Sequence, residues 1–158
     1  MALRFRLLAD YLDAIPIISK WYFDEWGHLT QGDTIEATRD RVERYANRSE
    51  IPFIIVATNN SDVVAVAQLK YREMAEMFPD KAHWLGGVYV PANHRGRAYG
   101  QQIVERIIKV APTYGVETLY LQTEALDGGL YASLGWVPYA QVINRGLDVL
   151  VMERQIFD

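Results

Sequence analysis

The chain has 158 residues, of which 50% are hydrophobic and 23% are charged, and its 16 basic and 20 acidic side chains give a net charge of −4. This length suits one folded domain with a substantial core, and the composition excludes a disordered chain or a coiled coil. The negative charge argues against broad capture of nucleic acid, and the absence of cysteine excludes disulfides, thiolate catalysis, zinc ribbons and iron–sulfur clusters.

Further absences bear on location and on metals. No apolar run approaches the ~20 residues that span a bilayer, so we expect no membrane-spanning segment. The first residues include two arginines but no following apolar stretch, which argues against a signal peptide and, with the lack of cysteine, favours a cytoplasmic location. The three histidines, His28, His83 and His94, stand singly, so we expect no metal site.

The hydrophobic pattern predicts strands where apolar residues alternate or are β-branched, and helices where they recur at helical spacing. In chain order the predicted elements are a strand at 3–7, helices at 15–26 and 35–46, strands at 53–58, 63–72 and 84–90, a helix ending at 111, a strand at 117–123, a helix at 127–134, and strands at 136–142 and 148–154. This order is typical of an α/β or α+β fold without an internal domain boundary.

Local signals predict where several of these elements end. Asp13 is expected to cap the first helix, which Gly27 ends, and Asp33 and Thr34 are expected to cap the second. The turn-forming residues 59–62 predict a hairpin between the second and third strands. The polar residues 73–82 predict a loop.

The segment from Val88 to Gln102 is the most informative part of the sequence. A strand stops at Pro91, a short loop with Arg95, Gly96 and Arg97 follows, and then an amphipathic helix begins. A glycine-containing loop can turn backbone N–H groups outward, and a helix N-terminus adds unpaired N–H groups and a partial positive charge. The segment therefore predicts a phosphate-binding loop. A basic surface loop that merely caps the helix is the alternative.

Two phosphate-binding signatures do not fit this segment. Gly100 is followed by Gln101 and Gln102, which excludes the Walker loop because that motif requires lysine and then serine or threonine there. The dinucleotide fingerprint requires a second glycine where Ala98 stands, and Gly100 comes one residue too early for the third.

The loop instead resembles a motif of the GNAT family of N-acetyltransferases. The family pattern Q/R-x-x-G-x-G/A is matched by R-G-R-A-Y-G, residues Arg95 to Gly100, with Ala98 in the place of the usual first glycine. Alanine costs little there if its φ is negative, so we expect the loop to be kept, while the departure from glycine puts its affinity for pyrophosphate in question. The family block F/L-Y-x-x-x-G-F/W is matched by L-Y-A-S-L-G-W, residues Leu130 to Trp136.

The resemblance extends over nearly the whole chain and implies a single domain of residues 1–158 with the acyl-CoA N-acyltransferase fold. In this α/β (α+β) fold a mixed, mostly antiparallel sheet has a bulged, splayed fourth strand and helices on both faces. Gly86 and Gly87 independently predict a bulge in that strand, because glycine pairs weaken a strand and mark close backbone approach. Making room for a neighbouring tryptophan is the other interpretation of this pair.

The resemblance also implies acetyl-CoA as cosubstrate, transfer to a primary amine of a small molecule or peptide by direct attack in a ternary complex, and a homodimer. It implies Tyr131 as the catalytic acid, with a tyrosine that only packs as the alternative. The cofactor would be bound by two runs: Val88, Tyr89 and Val90, and then Arg95, Gly96, Arg97, Ala98, Tyr99, Gly100 and Gln101.

Several alternatives stay open on the sequence alone. A non-catalytic acyl-CoA-binding regulatory module with the same fold is the rival function. The acidic residues Glu73, Glu76, Asp80, Glu124 and Asp127 are expected to be mostly a solvated surface, although a few of them would attract a cationic amine. The general base is either a bound water or Glu73. The aromatic residues at 21, 22 and 26 are expected to be core or groove lining.

Overall fold

The computed structural model describes residues 2–156. Its strands are β1 (Arg4–Leu7), β2 (Phe53–Asn59), β3 (Asp62–Tyr71), β4 (His83–Tyr89), β5 (Thr118–Thr123), β6 (Val137–Asn144) and β7 (Leu147–Gln155). Its helices are α1 (Ile15–Trp26), α2 (Ile35–Glu43), α3 (Tyr99–Val110) and α4 (Gly129–Ala132), joined by short 3₁₀ turns and loops. The predicted single domain of residues 1–158 includes Met1, Phe157 and Asp158, which lie outside the described residues.

The strands form one open sheet in the order β1-β2-β3-β4-β5-β7-β6. Every neighbouring pair is antiparallel except β4 and β5, which are parallel. The predicted hairpin of β2 and β3 is present, with Asn59 paired to Asp62 across a two-residue turn. The prediction of a mixed, mostly antiparallel sheet is confirmed.

Helices cover both faces of the sheet. Alternate residues of β2 point to opposite faces, because side chains in a strand alternate with period 2. Ile54 and Val56 pack in a cluster with buried side chains of α1 and α2, whereas Phe53 and Ile55 pack in a cluster with buried side chains of α3. A third, smaller cluster around the buried Trp84 lies beside the loop between β3 and β4.

The helix ends agree with the sequence in some places and differ in others. Gly27 follows α1 and Thr34 caps α2, its hydroxyl accepting the Ala37 N–H at 3.1 Å, as predicted. The prediction of an Asp13 cap is wrong: Asp13 lies in a 3₁₀ turn just before α1, and no side-chain cap bond forms there. Helix α2 is shorter than predicted because the chain tightens after Glu43 into turns closed by bonds between residues three apart.

No helix within residues 2–156 is long and apolar enough to cross a membrane. In the same part of the chain, no three His, Cys, Asp or Glu side chains lie close enough together to hold a metal ion.

Candidate active site

The predicted bulge is present in β4. Gln68 pairs with Gly86 and Val66 pairs with Tyr89, so two residues of β4, Gly87 and Val88, face one residue of β3. Gly87 has a φ of +55°, a left-handed conformation that favours glycine. A Cβ added to Gly87 would lie 2.6 Å from Nε2 of Gln68, so that side chain would have to move for any other residue to fit.

The predicted splay of β4 from β5 is also present. Among the described residues, the pairing of these two strands is recorded at one position, where Trp84 faces Tyr120. Beyond Trp84, the edge of β4 that faces β5 has no strand partner, so its backbone groups are available to an extended ligand. The sheet therefore opens where the bulge lies.

A cavity of about 830 Å³ lies at this opening. Its walls come from the bulged part of β4, the end of β5, the loop after β3 and helix α4. The lining residues used below are Gln68, Lys70, Glu73, Gly87, Val88 and Tyr131. Because the cavity lies between the splayed strands and is lined by both polar and aromatic side chains, it is a candidate for the reaction site.

The loop between β4 and α3 is exposed, and its arginines differ in their contacts. Arg95 turns back toward β4: its Nε donates to the Val90 carbonyl oxygen at 2.9 Å, and its guanidinium lies 5.7 Å from the centre of the Tyr89 ring. Arg97 is exposed and has no hydrogen-bond or ion-pair partner among the described residues. Arg97 is therefore available to bind an anion, whereas the side chain of Arg95 is held against the end of β4.

Ala98 has a φ of +61°, so the condition under which alanine would cost little is not met. It is the N-cap residue of α3 and sits in the left-handed region, without a side-chain cap bond. The chain keeps the backbone turn that the family pattern assigns to glycine and places a Cβ in it, at a cost of ~1–2 kcal/mol for an L-residue. The loop is kept, as predicted, but under local strain.

The N-terminus of α3 offers free backbone donors. The Gln102 N–H bonds to the Ala98 carbonyl oxygen at 3.1 Å, so the N–H groups of Tyr99, Gly100 and Gln101 precede the first helical bond. The side chain of Tyr99 is buried in the core, its hydroxyl accepting from Asn59 at 3.1 Å, so this residue can offer a ligand only its backbone. Such an end suits an anion.

Three segments that the sequence singled out come together at Gly100. A Cβ added to this glycine would lie 3.7 Å from both Val90, at the end of the bulged strand, and Leu130, in α4. The loop motif, the strand motif and the tyrosine motif are therefore neighbours in space, although the last is thirty positions further along the chain.

Tyr131 lies in α4 and lines the cavity. Its ring meets Trp136 edge to face, with the ring centres 6.2 Å apart. Burial, and after it the negative charge of Glu73, raises the pKa of Tyr131 to about 12. The phenol is therefore a proton donor across the physiological range, and it shares the cavity with a carboxylate.

Glu73 departs from the expectation of a solvated acidic surface. Its side chain is 16% exposed, and its carboxylate lies 3.0 Å from Nζ of Lys70, which is 20% exposed. Burial is the largest single influence on the pKa of Lys70 and would lower it, but the charge and hydrogen bond of Glu73, together with the nearby Tyr45, leave the pKa raised. The second carboxylate oxygen, Oε2, is buried and has no hydrogen-bond partner within residues 2–156. In the sequence, only the spacing of three residues between Lys70 and Glu73 at the end of β3 could have indicated this ion pair.

Comparison with solved structures finds the same fold. The protein yncA of Salmonella typhimurium, solved with its cofactor acetyl-CoA, is 22% identical, has a TM-score of 0.76 and aligns over 100% of this chain and 96% of its own. An aminoglycoside 6'-acetyltransferase of type Ii is 16% identical, with a TM-score of 0.74 over 100% and 99% of the two chains. The ribosomal-protein-alanine N-acetyltransferase of Brucella melitensis is 23% identical, with a TM-score of 0.74 over 98% and 99%.

Sequence comparisons give the family. No curated protein matches the chain in sequence. The model of the Acetyltransferase (GNAT) family matches residues 14–136, which include the bulged strand, the loop before α3 and Tyr131. The predicted fold, an acetyltransferase activity and acetyl-CoA as cosubstrate are thereby confirmed at the level of the family. The chain belongs to the GNAT family of acetyltransferases.

Proposed function

We propose that this protein transfers an acetyl group from acetyl-CoA to a primary amine by direct attack within a ternary complex. The observation that carries the proposal is that one cavity holds both the bulged stretch of β4 and Tyr131, a tyrosine whose pKa is raised to about 12. Acetyl-CoA supplies the acetyl group as a thioester, and the residues around the cavity position it and manage the protons.

The residues present fit the cosubstrate. Its pyrophosphate would lie against the backbone N–H groups of the Arg95–Gly100 loop and of the uncapped end of α3, with Arg97 adding positive charge. Its pantetheine arm would pair with the backbone of Val88 and Tyr89, apart from the N–H group that the acetyl carbonyl takes, where the splay leaves β4 without a strand partner among the described residues. Val90 is less free, because its carbonyl oxygen already accepts from Arg95.

The main-chain N–H groups of the bulged strand supply the electrostatic part of catalysis. As the amine attacks, the carbonyl oxygen of the acetyl group gains negative charge, and a fixed N–H donor stabilises that charge, typically by a factor of ~10²–10³ in rate. We place this donor within Val88 to Val90, directly after the left-handed Gly87.

Tyr131 is the proton donor in this proposal. Forming the N–C bond breaks the C–S bond, and Tyr131 gives its hydroxyl proton to the departing sulfur. A base or a water takes one proton from the attacking neutral amine, and Tyr131 regains a proton from solvent, so the protons balance. With its pKa raised to about 12, Tyr131 holds this proton throughout the neutral range.

Glu73 is the residue that best suits the acceptor amine. Its Oε2 is buried beside the cavity without a partner, so it can accept an N–H of the amine in a charge-assisted hydrogen bond. Lys70 holds the other oxygen, Oε1, in place through the ion pair at 3.0 Å. The acceptor can be a small molecule or a peptide, since the fold serves an aminoglycoside acetyltransferase and a ribosomal-protein-alanine acetyltransferase alike.

The rival function is a regulatory module that binds acyl-CoA without turnover. The test is to incubate the purified protein with acetyl-CoA and a broad panel of primary amines and to follow free thiol. Release that depends on one amine, with the matching acetylated product, supports the enzyme. Tight CoA binding without release over the whole panel supports the module. The cytoplasmic location and the homodimer stay predictions.

A further inference from the structure

Tyr22 connects helix α1 to the bulge in β4. It is 7% exposed, packs among the side chains under α1 and is not one of the residues that line the cavity. Its hydroxyl nevertheless reaches the main chain of the bulge and donates to the Gly87 carbonyl oxygen at 2.7 Å. Burial raises the pKa of Tyr22 far above its usual range, so the hydroxyl keeps the proton that it donates.

This contact fixes the direction of one peptide unit. The peptide between Gly87 and Val88 is trans and planar, so its N–H points opposite to its carbonyl. Because Tyr22 holds the Gly87 carbonyl toward α1, the Val88 N–H is aimed away from α1. Gly87 is also the point where the strand conformation is left-handed, and as a glycine it restricts the orientation of this peptide little, so an external contact is needed to fix it.

We propose that Tyr22 is a positioning residue for the reaction: its hydroxyl orients the Gly87–Val88 peptide and so aims the Val88 N–H at the acetyl carbonyl oxygen. The inference rests on the proposed function and deepens it, because it selects Val88 as the donor within the stretch Val88 to Val90. Tyr22 touches neither substrate and acts only through Gly87.

The packing around Gly87 supports an orienting role. A Cβ added to Gly87 would lie 2.7 Å from the Tyr22 hydroxyl and 2.6 Å from Gln68, so both side chains close directly over this residue. The Tyr22 ring also contacts Trp26, with the ring centres 5.5 Å apart, and phenylalanine would keep that contact. Removing the hydroxyl alone therefore leaves the packing and frees the carbonyl.

The test compares Tyr22→Phe with a matched control, Tyr114→Phe. The Tyr114 hydroxyl also donates to a main-chain carbonyl, that of Arg48 at 3.0 Å, and it lies outside the cavity. Calorimetry measures the affinity of each variant for acetyl-CoA and for CoA. CoA lacks the acetyl carbonyl, so it does not use the proposed Val88 donor. We expect Tyr22→Phe to weaken the binding of acetyl-CoA about fivefold more than the binding of CoA, a difference of ~1 kcal/mol. Tyr114→Phe should leave the ratio of the two affinities unchanged.

The ratio of the two affinities separates positioning from a loss of folding, since partial unfolding would weaken both ligands equally. An equal loss for both ligands, or no loss, overturns the inference. A second measurement needs no variant: in the wild-type protein, acetyl-CoA should shift the NMR signal of the Val88 amide further than CoA does. Equal shifts overturn the choice of Val88. If the wild-type protein binds neither ligand, the proposed function itself fails, which is a distinct result.

Discussion

Ala98→Gly should make the protein more stable, although glycine is the more flexible residue. Ala98 stands at the N-cap of α3 with a φ of +61°, where an L-residue is strained by ~1–2 kcal/mol and glycine is not. Against this gain, glycine loses ~0.5–1 kcal/mol more backbone entropy on folding. The difference is a net stabilisation of ~0.7 kcal/mol, which for a chain of this length raises Tm by ~2 °C.

Replacing alanine by glycine inside a helix of this chain should instead lower the stability. Ala37 lies in the first turn of α2, where its N–H bonds to Thr34 and the backbone is helical. Ala37→Gly should therefore lower stability by ~0.5–1 kcal/mol, because glycine is a poor helix former. Thermal unfolding and urea unfolding of both variants measure the two effects side by side.

The binding of acetyl-CoA provides a further check on Ala98. The side chain of Ala98 is exposed and the backbone turn is already in place, so Ala98→Gly should change the affinity by no more than about twofold, which is ~0.4 kcal/mol. A fall in Tm for Ala98→Gly as large as that for Ala37→Gly would refute the reasoning, since it would mean that the left-handed turn carries no strain.

Three further predictions concern the site. Gly100→Glu should weaken the binding of acetyl-CoA at least tenfold, which is ~1.4 kcal/mol, because a carboxylate would cover the free N–H groups of α3. An unchanged calorimetric affinity in a folded variant would show that the pyrophosphate does not bind to this loop. Glu73→Gln should raise the KM of the amine about tenfold with little change in acetyl-CoA affinity, because the charge-assisted bond from the amine N–H to the carboxylate is lost. Equal effects on both substrates would contradict an acceptor role. The kcat should not decline between pH ~7 and ~10, because the pKa of Tyr131 is raised to about 12 and the donor stays protonated. An ordinary tyrosine, with a pKa near ~10, would be half ionised at the upper end of this range. An alkaline decline in kcat centred near pH ~10 would argue against Tyr131 as the donor.

Local sequence patterns account for most of the fold. Alternation and helical spacing predicted every strand and helix of the described chain, because those patterns reflect which face of an element is buried. The errors lie at element ends, where neighbouring turns compete with the helix. At α1 the preceding 3₁₀ turn takes the place of the Asp13 cap, and after α2 tighter turns replace the last helical residues.

The conformation of the loop at Ala98 could not be predicted from the motif alone. The family pattern has glycine at this position, and a glycine in a tight loop often marks a positive φ. Alanine there allowed either a changed loop or a strained one. The backbone angle distinguishes them, and the chain keeps the loop.

The sequence could not reveal the contacts that join distant segments. The Tyr22 hydroxyl meets Gly87 across 65 positions, and sequence spacing indicated only that Tyr22 lies on an apolar face of α1. Glu73 was expected at the surface because its neighbours are polar. It is largely buried because the loop after β3 folds back over the sheet, which is a non-local event. Both residues belong to the site that the proposal uses.

The most direct test of the account is the kcat of Tyr131→Phe with an amine that the wild-type protein acetylates. Phenylalanine keeps the contact with Trp136 and removes only the proton donor. The account predicts a fall in kcat of ~10²-fold or more with little change in the KM of acetyl-CoA, while Tyr114→Phe keeps the wild-type rate. A Tyr131→Phe variant that turns over at the wild-type rate would contradict it and leave water as the donor.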